Sequence, residues 1–162
     1  MTMGPLTNNP PSPVFVGNST IDRVTSIRLL GVTITNNLTW DDHVANICSK
    51  ASTRLHFLKL LKRSGVPPTD LVYYYKTIIR PVIEYAFPVW QSSLTVDQLA
   101  RLEVLQRRAM KILSGSEDYE LYCAIYEPIS VRLDNLARSF FNRMSQPTDC
   151  LDYCQRREIL KL

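Results

Sequence analysis

Val44, Ile47, Cys48, Ala51, Leu55, Leu58 and Leu61 recur at helical spacing, and this stripe constrains the fold more than any other feature of the chain. Apolar side chains three and four residues apart share one face of an α-helix, and such a face is stable only against another apolar surface. Two further stripes follow at short intervals. Leu71, Tyr75, Ile78, Ile79, Val82, Ile83 and Ala86 keep helical phase, as do Leu99, Leu102, Leu105, Ala109, Ile112 and Leu113. Helices of this kind joined by short connections bury their stripes against one another, which predicts a helical bundle.

The punctuation between the stripes is equally specific. Thr39-Trp40-Asp41-Asp42 has the form of a helix start, with Thr39 as N-cap and the Asp42 carboxylate reaching back to a free backbone amide. Gly65 and Pro67-Pro68 end the first helix, and Lys59, Lys62 and Arg63 complement the negative end of its dipole. Pro81 interrupts the second stripe, so that segment is a kinked helix or two abutting ones, with Arg80 and Glu84 one turn apart and able to pair. Phe87-Pro88-Val89-Trp90 leaves that helix and packs its rings over the core. Thr95-Val96-Asp97-Gln98 is a second capping box, and the helix it opens runs to Gly115. A shorter helix around Asp118 to Tyr126 follows. The last runs from Ser130 to about Met144 with Leu133, Leu136, Ala137, Phe140 and Phe141 inward.

Ahead of the helices, Val14-Phe15-Val16 and Ile27 to Thr35 are β-prone runs separated by the turn residues Gly17-Asn18-Ser19; Gly31 in the second marks a bulge or a close backbone approach. Together the runs predict a small antiparallel hairpin. The fold class is therefore mainly α (α+β), a short N-terminal β-hairpin followed by a bundle of about five helices. Residues 1–13, with four prolines and no periodicity, read as a disordered lead-in. The hairpin occupies 14–37, the main helical bundle 38–115 and further helices 116–146, with 147–162 as a tail of uncertain structure.

Bulk properties exclude several classes. At 162 residues and 45% hydrophobic content the chain can bury one sizeable core, yet no apolar run approaches the roughly 20 residues that span a bilayer. The first residues lack the basic start and apolar stretch of a secretory leader. These features predict a soluble intracellular protein, nuclear or cytoplasmic, without disulfides. Cys150 and Cys154 are four apart, but neither His43 nor His56 is near them and no second cysteine pair exists, so no metal site is expected. Cys48 reads as a small buried side chain. Residues 41–115 hold 11 Lys and Arg against 6 Asp and Glu, whereas 116–162 hold 6 against 8. The basic middle suits contacts with a phosphate backbone.

No reactive constellation stands out. His43 and His56 are the only imidazoles and share one helix, a thin basis for a catalytic triad. The five glycines are far apart, so no backbone cradle for nucleotide phosphates is formed, and no cofactor is expected. Asp41 and Asp42 point about 100° apart on a helix and are explained as first-turn acids favoured by the dipole. No catalytic residue is assigned.

Three segments carry a family resemblance. Leu29-Leu30-Gly31-Val32-Thr33-Ile34, Leu38-Thr39-Trp40 with His43-Val44, and Ile47-Cys48 with Lys50-Ala51 resemble a signature of LINE-type, non-LTR retrotransposon reverse transcriptases of the jockey and CR1 kind. Tyr75 to Ala86 with Pro88-Val89-Trp90 is similar to that family's Y-K-x-x-x-R-P-x-x-E-Y-A-x-P-x-W stretch. Leu102-Glu103 with Gln106-Arg107-Arg108-Ala109 fits its L-E-x-x-Q-x-R-A helix. The resemblance covers about residues 14–144. It implies a primer-grip hairpin, a thumb and a linker region, with Leu30 and Gly31 near the primer terminus. The family's catalytic aspartates, in an F/Y-A-D-D tetrapeptide, belong upstream, and no such tetrapeptide occurs here. The implied partners are an RNA/DNA duplex and the polymerase domains missing from this chain. Lys50 with Arg54, and Arg101 with Arg108 and Lys111, are spaced to offer donors to phosphates from one helix face each. Tyr73 and Tyr74 are weaker candidates for stacking on bases.

Two other readings compete. One is a helical protein-interaction module derived from a retroelement. The other rests on similarity of residues 20–62 to a short N-terminal segment of the AlkB-homologue tRNA-modifying family, but neither histidine lies in the HxD pattern that an iron and 2-oxoglutarate site requires.

Overall fold

The computed structural model describes residue 1, residues 12–114 and residues 126–144. Within them the chain is helical after an N-terminal antiparallel β region, as the periodicities predict. The Gly115 helix stop, most of the helix expected over Asp118 to Tyr126, Cys123, Cys150, Cys154 and the 147–162 tail lie outside the described residues, as does most of the 1–13 lead-in.

The β region differs from expectation in one respect: it is two hairpins. β1 (Phe15–Val16) pairs with β2 (Ser19–Thr20), and β3 (Ser26–Leu29) pairs with β4 (Val32–Thr35) in the register Ile27 to Ile34 and Leu29 to Val32. The run from Ile27 to Thr35 thus folds back on itself. Gly31 lies in the reversal, where Leu30 (φ 46) and Gly31 (φ 86) are both left-handed. A two-residue connection with positive φ at both positions is the turn whose twist matches antiparallel strands.

α1 (Asp41–Arg63) buries Val44, Ile47, Ala51, Leu55 and Leu58, with Cys48 and Leu61 at the edges of the stripe. Its start corrects the sequence reading. Trp40, not Thr39, is the N-cap residue, and no side chain caps the helix. Thr39 is held elsewhere: its backbone N–H and hydroxyl both donate to Asn37 Oδ1, and its carbonyl accepts from Thr35 Oγ1. An Asx-type turn has taken the polar groups that the cap required.

The second stripe forms α2 (Pro68–Tyr74), a π-helical turn over Tyr75–Ile79 and α3 (Arg80–Glu84). Leu71, Tyr75, Ile79 and Ile83 are buried along it. Ala86 (φ 52) reverses the chain into α4 (Phe87–Trp90), whose Trp90 is fully buried with its indole N–H donated to the Tyr85 carbonyl at 3.0 Å. A 3-10 turn at Gln91–Ser93 leads to α5 (Val96–Ser114). Here the capping box is reciprocal: Gln98 N–H donates to Thr95 Oγ1 (3.2 Å) and Thr95 N–H to Gln98 Oε1 (3.0 Å). The other end of the Gln98 amide donates to Asp41 Oδ1 at 2.8 Å, joining the two helix starts.

Contacts ascend together along α1 and α5, from Asp41 with Gln98 to Lys62, whose ammonium donates to the Ile112 carbonyl at 2.5 Å, so these helices run in the same direction. The α2–α3 leg packs along α1, and α6 (Ile129–Met144) packs on α5 and α4. One side-chain expectation is corrected here. Phe141 is 55% exposed because the buried side of α6 is carried by Ile129, Leu133 and Ala137. Glu103 Oε1 accepts the Ser130 N–H (3.0 Å) in the first turn of α6, where a carboxylate also meets the positive end of the helix dipole.

The fold ranks two substitutions. Leu58→Ala removes a side chain buried between helices and lowers stability by about 3 kcal/mol, whereas Thr95→Ala removes one cap hydrogen bond and costs about 1 kcal/mol. Urea unfolding of both variants checks the order; equal losses would contradict it.

Candidate functional site

The hairpin tip is fastened to the helical body by one side chain. The Tyr85 hydroxyl donates to the Leu30 carbonyl at 2.8 Å, across 55 positions of sequence. Its ring lies so close under Gly31 that a Cβ there would sit 3.2 Å from Cε1. Positive φ and this contact both favour glycine at the position. The Leu30 side chain is 83% exposed.

Beneath the tip runs a row of side chains from α1. His43, Ile47, Lys50 and Arg54 follow one another at steps of four, three and four and share one face of the helix. The tip, this row and Pro81, Val82 and Tyr85 enclose a cleft of about 430 Å³, into which β3 adds Arg28. Arg28, Lys50 and Arg54 line it and no carboxylate does. Arg54 is steadied by donating from Nη1 to the Ile78 carbonyl at the widened turn.

Of the seven residues singled out in the sequence, the structure brings together Leu30, Gly31, Lys50 and Arg54. Arg101, Arg108 and Lys111 form a separate exposed row on α5. Arg101 faces Cys48, whose thiol is pushed up by burial and drawn back by that hydrogen-bonded guanidinium. Cys48 and Lys50 point about 200° apart on α1, so the two basic sets flank opposite edges of its buried stripe. Of the stacking candidates, Tyr73 is exposed and Tyr74 packs against the core.

Three polar or aromatic residues of the cleft were not assigned from sequence. Arg28 and Tyr85 reach it from separate elements and leave no local spacing signal. His43 was legible in principle, since it begins the row that Lys50 and Arg54 continue. It is 3% exposed, edge-on to Trp40 and Trp90. Its Nδ1 accepts the Thr33 N–H at 3.3 Å, so in the neutral ring the proton resides on Nε2. That buried Nε2 has no partner among the described residues. Burial, and secondarily the Lys50 charge, lower the His43 pKa below 6.5.

Among the described residues no group of His, Cys, Asp and Glu side chains is arranged to hold a metal, and no helix is long and apolar enough to cross a membrane. A hairpin tip pinned over a basic, acid-free cleft, with a second basic row on a parallel helix, is a surface suited to polyanions. The chain is similar in sequence to a retrotransposon protein. It is 24% identical over 110 residues to a protein of Drosophila melanogaster described as a probable RNA-directed DNA polymerase from transposon X-element. That alignment covers 66% of this chain and 12% of the relative, so the chain spans a small part of the relative's length. No protein-family model matches the chain, and no solved structure matches it.

His43 makes stability depend on pH. With the folded-state pKa below 6.5, the unfolded chain binds a proton that the native state refuses, so this contribution is full above the unfolded value and is lost as pH falls through the window between the two. The expected outcome is a melting temperature that drops from about pH 7.5 to about pH 5.5, with a smaller drop in His43→Gln. Parallel curves for the two proteins would refute the assignment.

Proposed function

We propose that this chain is a non-catalytic segment of a retroelement RNA-directed DNA polymerase. It is read as the primer-grip hairpin, thumb-like helices and start of the linker of a LINE-type enzyme, holding an RNA/DNA duplex by its phosphate backbone. The observation that carries the reading is the 110-residue similarity to the X-element polymerase. The acid-free cleft with Leu30, Gly31, Lys50 and Arg54 at the hairpin tip supports it. So does the row of Arg101, Arg108 and Lys111, since several cations on one helix face release condensed counterions when they meet phosphates. Catalysis is assigned to aspartates upstream of this segment in an intact polymerase.

A second reading, a helical protein-interaction module, is favoured by the exposed apolar side chains of the two hairpins, Phe15, Val16, Ile27 and Leu29 among them. One experiment separates the two. Fluorescence anisotropy with a labelled RNA/DNA hybrid is expected to show sequence-independent binding that weakens with salt. Replacing Arg101, Arg108 and Lys111 together by Gln is expected to reduce the slope of log K against log salt by roughly three. No binding at low salt would reject the polymerase-segment reading; binding unaffected by the triple change would remove the α5 row from it.

A further inference from the structure

We propose that the cleft under the hairpin tip seats one nucleoside monophosphate unit, with its phosphate on Arg28 and Lys50 and its base against Tyr85 and Pro81. The inference deepens the nucleic-acid reading above by assigning the cleft an unpaired nucleotide rather than a stretch of duplex backbone.

The lining has two characters. One wall is cationic, from Arg28, Lys50 and Arg54, with no carboxylate to neutralise it. Among the described residues neither Arg28 nor Lys50 takes part in an ion pair. The lining also holds a half-exposed phenol ring, Pro81 and Val82. Such a pairing of phosphate donors with a flat aromatic face is how proteins hold single nucleotides of a strand, the charges taking the backbone and the ring stacking the base. A volume of about 430 Å³ lies near the lower end of pockets that enclose small molecules.

Two features fix the lining in advance. His43, almost fully buried, is held in place by accepting the Thr33 N–H on Nδ1. The Tyr85 ring is held by its own hydrogen bond to the Leu30 carbonyl, so its stacking face is oriented before any ligand arrives and little rotamer freedom is lost on binding.

The test uses the whole 162-residue chain and calorimetric titration with adenosine 5′-monophosphate and, separately, inorganic phosphate. The nucleotide is expected to bind saturably and at least about fivefold tighter than phosphate, the low end of what stacking one base contributes. Arg28→Glu, on an exposed strand, and Lys50→Gln, on the solvent side of a long helix, are each expected to weaken the nucleotide about tenfold without changing the melting curve at about pH 7.5, where His43 is neutral. Absence of saturable nucleotide binding, equal affinity for phosphate, or indifference to both substitutions overturns the proposal. Hybrids with and without one unpaired 3′ nucleotide identify the source. Tighter binding of the overhang supports a strand-borne nucleotide; equal binding, with adenosine monophosphate still bound, supports the seat and assigns it to a free nucleotide. Nucleotide binding without any hybrid binding would reject the polymerase-segment reading while supporting the seat.

Discussion

Pro81 imposes the constraint on which the rest of the structure depends. A proline inside a helix offers no N–H to the preceding turn, and its ring crowds the carbonyl four residues back. The chain accommodates it by widening over Tyr75–Ile79, where the Arg80 N–H reaches the Tyr75 carbonyl. That wider turn also resolves a mismatch in the sequence. Leu71, Tyr75, Ile79 and Ile83 are spaced strictly by four, and on a regular α-helix such a row drifts by about 40° per step. The π turn takes up the drift and keeps all four buried. Burial pushes the Tyr75 phenol up to about 12, so its hydroxyl stays neutral in the core. The same widening presents the Ile78 carbonyl to Arg54 and leaves Pro81 and Val82 facing the cleft.

Polar contacts then decide how the elements are oriented rather than how tightly they hold. Glu84 accepts from both Arg80 (2.6 Å) and Arg132 (3.0 Å), tying α3 to α6. The carboxylate is 18% exposed and the arginines more so, a setting in which ion pairs contribute little net stability. Their value is directional, because each arginine donates its Nε–H to the one oxygen Glu84 Oε1. Gln106, with its amide donated to the Glu127 carbonyl (2.7 Å), and Glu103, at the start of α6, act on the same junction. Apolar burial by Leu102, Leu105, Ala109 and Leu133 supplies the attraction, and these polar groups select one register for it.

What was legible in the sequence follows from range. The stripes of α1 and α5, the Thr95–Gln98 box and the Arg80–Glu84 pair depend on neighbours within four residues, and each was readable. Errors arose where a residue had two local options. Thr39 could cap α1 or close a turn with Asn37, and the left-handed Leu38 beside it settles the chain on the turn. Gly31 could sit in a strand or in a reversal; only its pairing partners decide. The cleft was half legible. Lys50 and Arg54 advertise themselves by spacing on a helix, whereas Arg28, from a strand, and Tyr85, 55 positions beyond Leu30, meet them only through the fold.

The hairpin over the cleft is attached by few groups, and this makes its position responsive. Every residue of β3 is exposed, and β4 is anchored by Val32 and Thr35. Beyond these, the hydrogen bonds to the helices among the described residues are the Tyr85 hydroxyl on the Leu30 carbonyl, the Asn46 amide on Thr33 Oγ1 (3.1 Å) and the Thr33 N–H on His43 Nδ1. Segments with little burial and few hydrogen bonds open at small free-energy cost. The third tie exists only while His43 is neutral, because a protonated Nδ1 presents a hydrogen to the Thr33 N–H instead of a lone pair. The charge state of one buried ring thus bears on where Leu30 and Gly31 sit. Burial foremost, and the Lys50 charge after it, hold that ring neutral and so help to keep the tip in place above the cleft.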